Sequence, residues 1–179
     1  IPDEVDYRSV TVSKDPSGKM YASILVKINV EPKPLTGRMV GIDLGLKDLF
    51  ILSDGQVISN PKFFRENQTE LKKAQQHLSR KTKGSNRYRK QNLKVAKIHE
   101  KIRFKRNNIL HEVSTAIVAH YDVICIEDLN VAGMIKNHSV AKSIADASWY
   151  SFTSMLNYKC SWYGKTLVKI DRFFPSSKL

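Results

Sequence analysis

Two short segments of this 179-residue chain carry a carboxylate at the end of an apolar run. One is Val40-Gly41-Ile42-Asp43-Leu44-Gly45, and the other is Val123-Ile124-Cys125-Ile126-Glu127-Asp128-Leu129-Asn130. Each reads as a strand that delivers an acid to the point where it leaves the core. No cation neighbours Asp43 or Glu127 in these segments. Such an acid is costly to desolvate alone, so it calls for a metal ion or a proton. Two of them on adjacent strands would bring hard oxygen ligands together, the donor type that holds Mg2+ or Mn2+. Two such ions about 4 Å apart can activate a water and stabilise the leaving 3′ oxygen of a phosphodiester. The five His residues form no Cys/His cluster, Cys125 and Cys160 form no metal-type pair, and no Ser-His-Asp arrangement or phosphate loop is visible.

Charge gives the second clue. The net charge is +13 and its distribution is uneven. Residues 62–111 hold 16 Lys and Arg against three acids, Glu66, Glu70 and Glu100, while the remainder balances 14 basic against 14 acidic residues. A balanced body with one basic insert suggests a localised polyanion site, whereas a solvated helix face is the simpler reading of any bare charge run. A membrane surface fits less well, because the basic faces lack the Trp and Phe anchors of an interfacial helix. Arg80, Lys81, Lys83, Arg87, Arg89 and Lys90 flank the turn at Gly84 and are the candidates for phosphate contact. Trp149 and Tyr150 suit core packing better than base stacking. No stretch approaches the roughly 20 apolar residues of a membrane span. The two cysteines leave a reducing cytoplasm as the default compartment. The N-terminus has neither the basic nor the apolar region of a secretory signal, and the missing initial Met suggests a piece of a longer protein.

The elements that must position these residues follow from periodicity. Residues 5–12 alternate apolar and polar, residues 14–19 form a turn, and residues 20–30 are again extended, which predicts a β-hairpin. Glu31-Pro32-Lys33-Pro34 reads as a linker. Strands are expected at residues 39–43, 49–52 and 57–58, with short links that make an antiparallel meander. The basic segment reads as two helices. Leu71, Ala74 and Leu78 stripe the first, Gly84-Ser85-Asn86 breaks it, and Val95, Ile98, Ile102, Ile109, Val113 and Ile117 stripe the second to about His120. A short apolar strand over residues 122–126, a helix over 143–158, a strand over 166–170 and a terminal loop over 171–179 complete the series.

A meander, then helix, then a strand ending in Glu is the element order of the RNase H fold. Specific motifs agree with it. These are Gly41-Ile42-Asp43-Leu44-Gly45-Leu46-Lys47-Asp48, then Leu78-Ser79-Arg80-Lys81, then Tyr121-Asp122-Val123 leading to Glu127-Asp128-Leu129-Asn130-Val131, then Asp171-Arg172-Phe173-Phe174-Pro175-Ser176-Ser177-Lys178. Taken together, and in this order, they resemble the TnpB proteins of bacterial and archaeal transposons. That family is also called the OrfB transposases and is related to compact type V CRISPR effectors. The resemblance covers nearly all of the chain from Thr36 onward. It implies an α/β, RNase H-like (RuvC) mixed sheet with a basic helical insert at about residues 62–120, within a nuclease domain at 36–179. Residues 1–35 would be a β-hairpin and linker ending an N-terminal β-barrel.

The implied activity is RNA-guided, metal-dependent DNA endonuclease, with DNA and a guide RNA as partners and no membrane. Asp43 matches the first Asp of the family's Asp, Glu, Asp set and Glu127 matches its Glu. Mg2+ or Mn2+ is the implied cofactor. The third carboxylate is expected downstream of the Phe-Pro-Ser-Ser-Lys stretch, beyond a zinc ribbon, and zinc is expected only there. The sequence stops at Leu179 before either, so this stretch by itself is expected to cut weakly or not at all. Asp171 is expected in a loop or supporting role, Asp128 in local hydrogen bonding, and Cys125 and Cys160 as structural thiols. Two rivals stay open. An actin-like ATPase also uses a Gly-Ile-Asp-Leu-Gly turn, although Leu46-Lys47 stands where it would want Ser or Thr. A non-catalytic nucleic-acid-binding module is the other.

Overall fold

The computed structural model describes residues 6–129, 131–134 and 147–170. Within these the chain is a mixed α/β protein. Its elements are strands β1 (Asp6–Lys14), β2 (Met20–Lys27), β3 (Met39–Leu44), β4 (Asp48–Leu52) and β5 (Val57–Ser59), helices α1 (Phe63–Ser79) and α2 (Asn86–His120), strand β6 (Val123–Glu127), the short helix α3 (Val131–Met134), helix α4 (Trp149–Tyr163) and strand β7 (Thr166–Ile170). Two compact units can be separated. One is the described part of Ile1–Val30 with Phe64–Lys105, and the other is the described part of Glu31–Phe63 with Arg106–Leu179.

The first unit contains the hairpin β1-β2, helix α1 and the first part of α2. Antiparallel pairing runs from Asp6↔Lys27 to Lys14↔Met20, with one irregularity between Tyr7 and Ser9. The sequence alternation yields the hairpin but no buried face, since every β1 residue is exposed, Val10 and Val12 included. The turn is anchored through Glu100 of α2, which accepts from the Ser17 hydroxyl at 2.6 Å and from Tyr21 at 3.1 Å. Lys19 pairs with the same carboxylate at 3.0 Å. These bonds, Ser17 first, hold the Glu100 carboxyl below its usual range. Between the helices Gly84 adopts φ 86, which glycine takes without strain, and the Ser85 hydroxyl accepts from the Tyr88 amide at 3.1 Å as α2 begins.

The second unit is built on a five-stranded sheet of order β5-β4-β3-β6-β7. The meander β3-β4-β5 is antiparallel, and β6 and β7 are added parallel to β3. Alternation along the strands separates two faces. Val40, Ile42 and Leu44 of β3 and Ile124 and Ile126 of β6 are buried in one cluster with Leu110, Ile117 and Val118 of α2 and Trp149, Phe152 and Leu156 of α4. Phe50 and Phe152 stack there with ring centroids 3.8 Å apart. Trp149 is thus a core residue, whereas Tyr150 is 77% exposed. The ammonium of Lys159 crosses from α4 to α2 and donates to the His111 carbonyl and to the hydroxyls of Ser114 and Thr115.

Helix α4 runs to Tyr163, five residues beyond the expected Tyr158. Its stop is Gly164, which takes the left-handed conformation and returns its N–H to the Cys160 carbonyl. The expected start of this helix and the expected loop over 171–179 lie outside the described residues. A second polar cluster levels the strands. Asp122 accepts from the amides of Thr36 at 2.8 Å and Gly37 at 2.6 Å and from Lys165 at 2.5 Å, and Lys165 also donates to the Pro34 carbonyl. The Asp122 amide donates to the Arg38 carbonyl and its own carbonyl accepts from Thr166. The beginnings of β3, β6 and β7 are thereby pinned at one height.

Candidate functional site

Because the strand starts are level, the strand ends are level too. Ile42 pairs with Ile126 in parallel register, and the next residues are Asp43 and Glu127. Both turn to the face opposite the buried Ile42 and Ile126, with Asp43 exposed and Glu127 half-buried. They line one cavity of about 450 Å3 together with Gly41, Ile51, Ser53, Cys125 and Ile170. Neighbouring strands stand about 4.8 Å apart, so two side chains in register on one face are close neighbours. The two acids singled out from sequence therefore come together. Among the described residues no group of three or more His, Cys, Asp and Glu does so. Asp171 lies outside the described residues.

The glycines around Asp43 have separate reasons. A Cβ on Gly45 would collide with the Asp48 carbonyl oxygen, and the Gly45 amide donates to the Leu49 carbonyl, so this glycine makes the tight β3-β4 turn. Chain reversal thus accounts for the second glycine of the Gly-Ile-Asp-Leu-Gly motif. Gly41 is different. Its amide donates to the Ser53 hydroxyl at 3.0 Å, while its carbonyl accepts from the Ser53 amide at 2.9 Å. Ser53 thus ties β3 to the end of β4 and adds a hydroxyl to the cavity wall. In sequence it is a turn residue, and only the pairing shows this role. Cys125 is likewise a cavity-wall residue rather than a core thiol, because it shares the face of Glu127. Cys160 is buried in the core, and burial pushes its thiol up to about 11. Asp128 is exposed, and its amide donates to the Ile170 carbonyl at 3.1 Å.

The six basic candidates belong to the other unit. Arg80, Lys81 and Lys83 lie in the turn between α1 and α2, and Arg87, Arg89 and Lys90 lie on the opening of α2. All six are exposed. The helix break at Gly84 therefore gathers them around a single corner.

Comparison with known proteins gives consistent matches. Residues 11–138 match the family model OrfB_IS605, described as "Probable transposase", and residues 149–179 match the model "Cas12f1-like, TNB domain". A Streptomyces pristinaespiralis protein named "Putative RNA-guided DNA endonuclease" is 45% identical over 100% of this chain and 44% of its own length. The Escherichia coli protein named "Putative RNA-guided DNA endonuclease InsQ" is 34% identical over 96% of this chain and 46% of its own. "TnpB-like protein L79" of Acanthamoeba polyphaga mimivirus is 31% identical over 94% of this chain and 35% of its own. The chain thus spans less than half the length of these relatives.

Proposed function

This chain belongs to the OrfB_IS605 family of probable transposases, and from that premise we propose that it is the RuvC-type nuclease portion of a transposon-encoded, RNA-guided DNA endonuclease. The observation that carries the reading is the level placement of Asp43 and Glu127 on neighbouring parallel strands, facing one cavity. The sheet supports an RNase H-like fold for the unit, since an antiparallel meander extended by two parallel strands is the arrangement expected of it. Residues 36–179 are read as the nuclease domain, residues 62–120 as its basic helical insert, and residues 1–35 as the hairpin end of a preceding β-barrel.

The donors at the site fit a hard divalent ion. Two carboxylates and the Ser53 hydroxyl offer hard oxygen donors, which suit Mg2+ or Mn2+, and the Cys125 thiol is the one softer group on the same wall. Asp43 and Glu127 would hold the metal, which when bound supplies Lewis acidity toward water and the scissile phosphate. The chain's own residues do the positioning. The Asp122–Lys165 clamp and the Gly41–Ser53 tie keep the two carboxylates level, and the basic corner at residues 80–90 holds sugar-phosphate backbone. Phosphate contacts give affinity and salt dependence without sequence information, which base pairing with a guide supplies. Zinc is assigned to none of the described residues.

A cleavage assay with the full-length protein and its guide RNA, in Mg2+ or Mn2+, tests this. Asp43→Ala and Glu127→Ala should each abolish cutting while leaving target binding intact. Undiminished cutting by Asp43→Ala would overturn the assignment.

A further inference from the structure

On the sheet face that carries Asp43 and Glu127, strand pairing sets the side chains in two ranks. One rank runs Ile51, Asp43, Glu127, Ile170 across β4, β3, β6 and β7. The other, one step back along β3, runs Ser53, Gly41, Cys125, because Gly41 exchanges hydrogen bonds with Ser53 and pairs with Cys125. Gly41 therefore leaves one square of the face without a side chain, next to Asp43 and between Ser53 and Cys125. All three residues line the cavity that also holds the two acids. Ser53 and Cys125 stand two strand spacings apart, about 9.6 Å, which is wide enough to admit one sugar or phosphate group.

The fold does not account for this glycine. Gly41 has no positive φ, and a Cβ added to it would meet the Ser53 Cβ at 3.7 Å and Oγ at 3.8 Å, which is ordinary contact. Gly45 differs, since a Cβ there would collide with the Asp48 carbonyl. A glycine inside a strand weakens it, and such a position often marks the close approach of a ligand to the backbone. Ser53 gives an independent sign of a ligand. Its hydroxyl oxygen accepts from the Gly41 amide at 3.0 Å, which fixes it at the border of the open square, and among the described residues its proton finds no acceptor. No described Lys, Arg or His lines the cavity. A cation there would pair with the carboxylates, whereas a hydroxyl donates a hydrogen bond and leaves them free.

We propose that the open square at Gly41 seats the sugar-phosphate of the DNA strand being cut, with Ser53 donating its hydroxyl proton to an oxygen of a phosphate next to the scissile one. The proposal rests on the nuclease reading above. Gly41 and Asp43 are two residues apart, about 6.6 Å along the strand, so a group in the square neighbours the one at the carboxylates and is distinct from it. Ile51 and Cys125 border the square with apolar or weakly polar surface, which suits a deoxyribose ring. Volume added at residue 41 expels the strand while leaving Asp43 and Glu127 in place.

The test combines this chain with the full-length protein and its guide RNA. In this chain Gly41→Ala should keep or raise the melting temperature and keep Mn2+ binding. In the full-length protein it should keep guide-dependent target binding and slow single-turnover cutting by about 10²-fold, the scale of a misplacement of about 1 Å. Gly41→Val should cut more slowly still. Ser53→Ala retains the bond from the residue 53 amide to the Gly41 carbonyl and should slow cutting by roughly 10-fold to 10²-fold, the loss of one hydrogen bond to a charged acceptor. Ser53→Thr, which keeps the hydroxyl, should recover most of that rate. A methylphosphonate placed in turn at each phosphate flanking the cut removes the acceptor without altering the protein. At one position it should slow the parent and add nothing to the defect of Ser53→Ala. Alkylation of Cys125 reads occupancy apart from cutting, and target bound in Ca2+ should protect this thiol in the parent but not in Gly41→Val. Undiminished cutting by Gly41→Ala overturns the proposal. So does a loss of Mn2+ binding or of melting temperature in that variant, which would give the glycine to the metal site or the fold, or a methylphosphonate effect additive with Ser53→Ala at every position. If Asp43→Ala cuts undiminished, the nuclease reading itself fails; if Asp43→Ala is inactive while Gly41→Ala cuts fully, only the seat at Gly41 fails.

Discussion

Asp43 and Glu127, 84 residues apart in the chain, leave the same face of the sheet side by side because Ile42 and Ile126 before them pair in parallel register. Each acid follows a fully buried isoleucine, so neither can rotate to the core side without a one-residue slip of its strand.

Metal affinity should report that pairing directly. Mn2+ titration of this chain, followed by calorimetry, is expected to show binding that Asp43→Asn and Glu127→Gln each weaken. In the full-length nuclease the same changes should lower the cutting rate by about 10²-fold or more, the scale of a small misplacement of reacting groups. Equal Mn2+ binding by all three proteins would count against a shared site.

The basic corner makes a separate prediction. Neutralising Arg80, Lys81, Arg87 and Arg89 together should weaken binding to unrelated DNA sequences alike and flatten the salt dependence. The slope should change by up to about 0.9 for each duplex phosphate released from its cation, less for single strands. Sequence-selective loss of binding would instead point to base contacts.

The clamp at the strand starts should fail in acid. Lys165, whose side chain is fully buried, and the amides of Thr36 and Gly37 hold the Asp122 carboxyl below its ordinary range. A lowered folded value adds stability at pH above the unfolded carboxylate value, and that contribution disappears as pH falls through the folded value. Asp122→Asn should lower the melting temperature at neutral pH, with a deficit that narrows in acid. A pH-independent deficit would show that the charge is not what matters.

Lys159 should act in the opposite pH range. Burial pushes its ammonium below the ordinary 10.5. Between the lowered folded value and 10.5 the unfolded chain binds more protons, so stability should rise with pH through that window. Lys159→Met removes the slope and, by placing an apolar chain of similar length among core residues, should change stability at pH 7 by no more than about 1 kcal/mol. Lys159→Ala leaves a cavity and should cost about 2 kcal/mol more than Lys159→Met. Melting curves between pH 7 and about 10 separate these outcomes.

The strands were legible in sequence because each half-buried strand needs an alternating or apolar run, and the acids closing Val40-Gly41-Ile42-Asp43 and Ile124-Cys125-Ile126-Glu127 stood out against those runs. Helices α1 and α2 were legible from their stripes and from the break at Gly84, whereas the short helix α3 was not read from the sequence. The end of α4 was missed by five residues because Gly164, its physical stop, lay beyond the expected boundary. Tertiary structure alone decided that β6 adds beside β3, which brings Asp43 level with Glu127 across 84 residues. Local periodicity says nothing about register between distant strands; here the hydrogen bonds of Asp122 and Lys165 impose it. Likewise only the fold turns Glu100 toward Ser17, Tyr21 and Lys19, and so sorts the evenly basic sequence of α2 into a covered face and an exposed row. A charge count records how many cations a segment holds, while the packing of hairpin and helix determines which of them meet solvent.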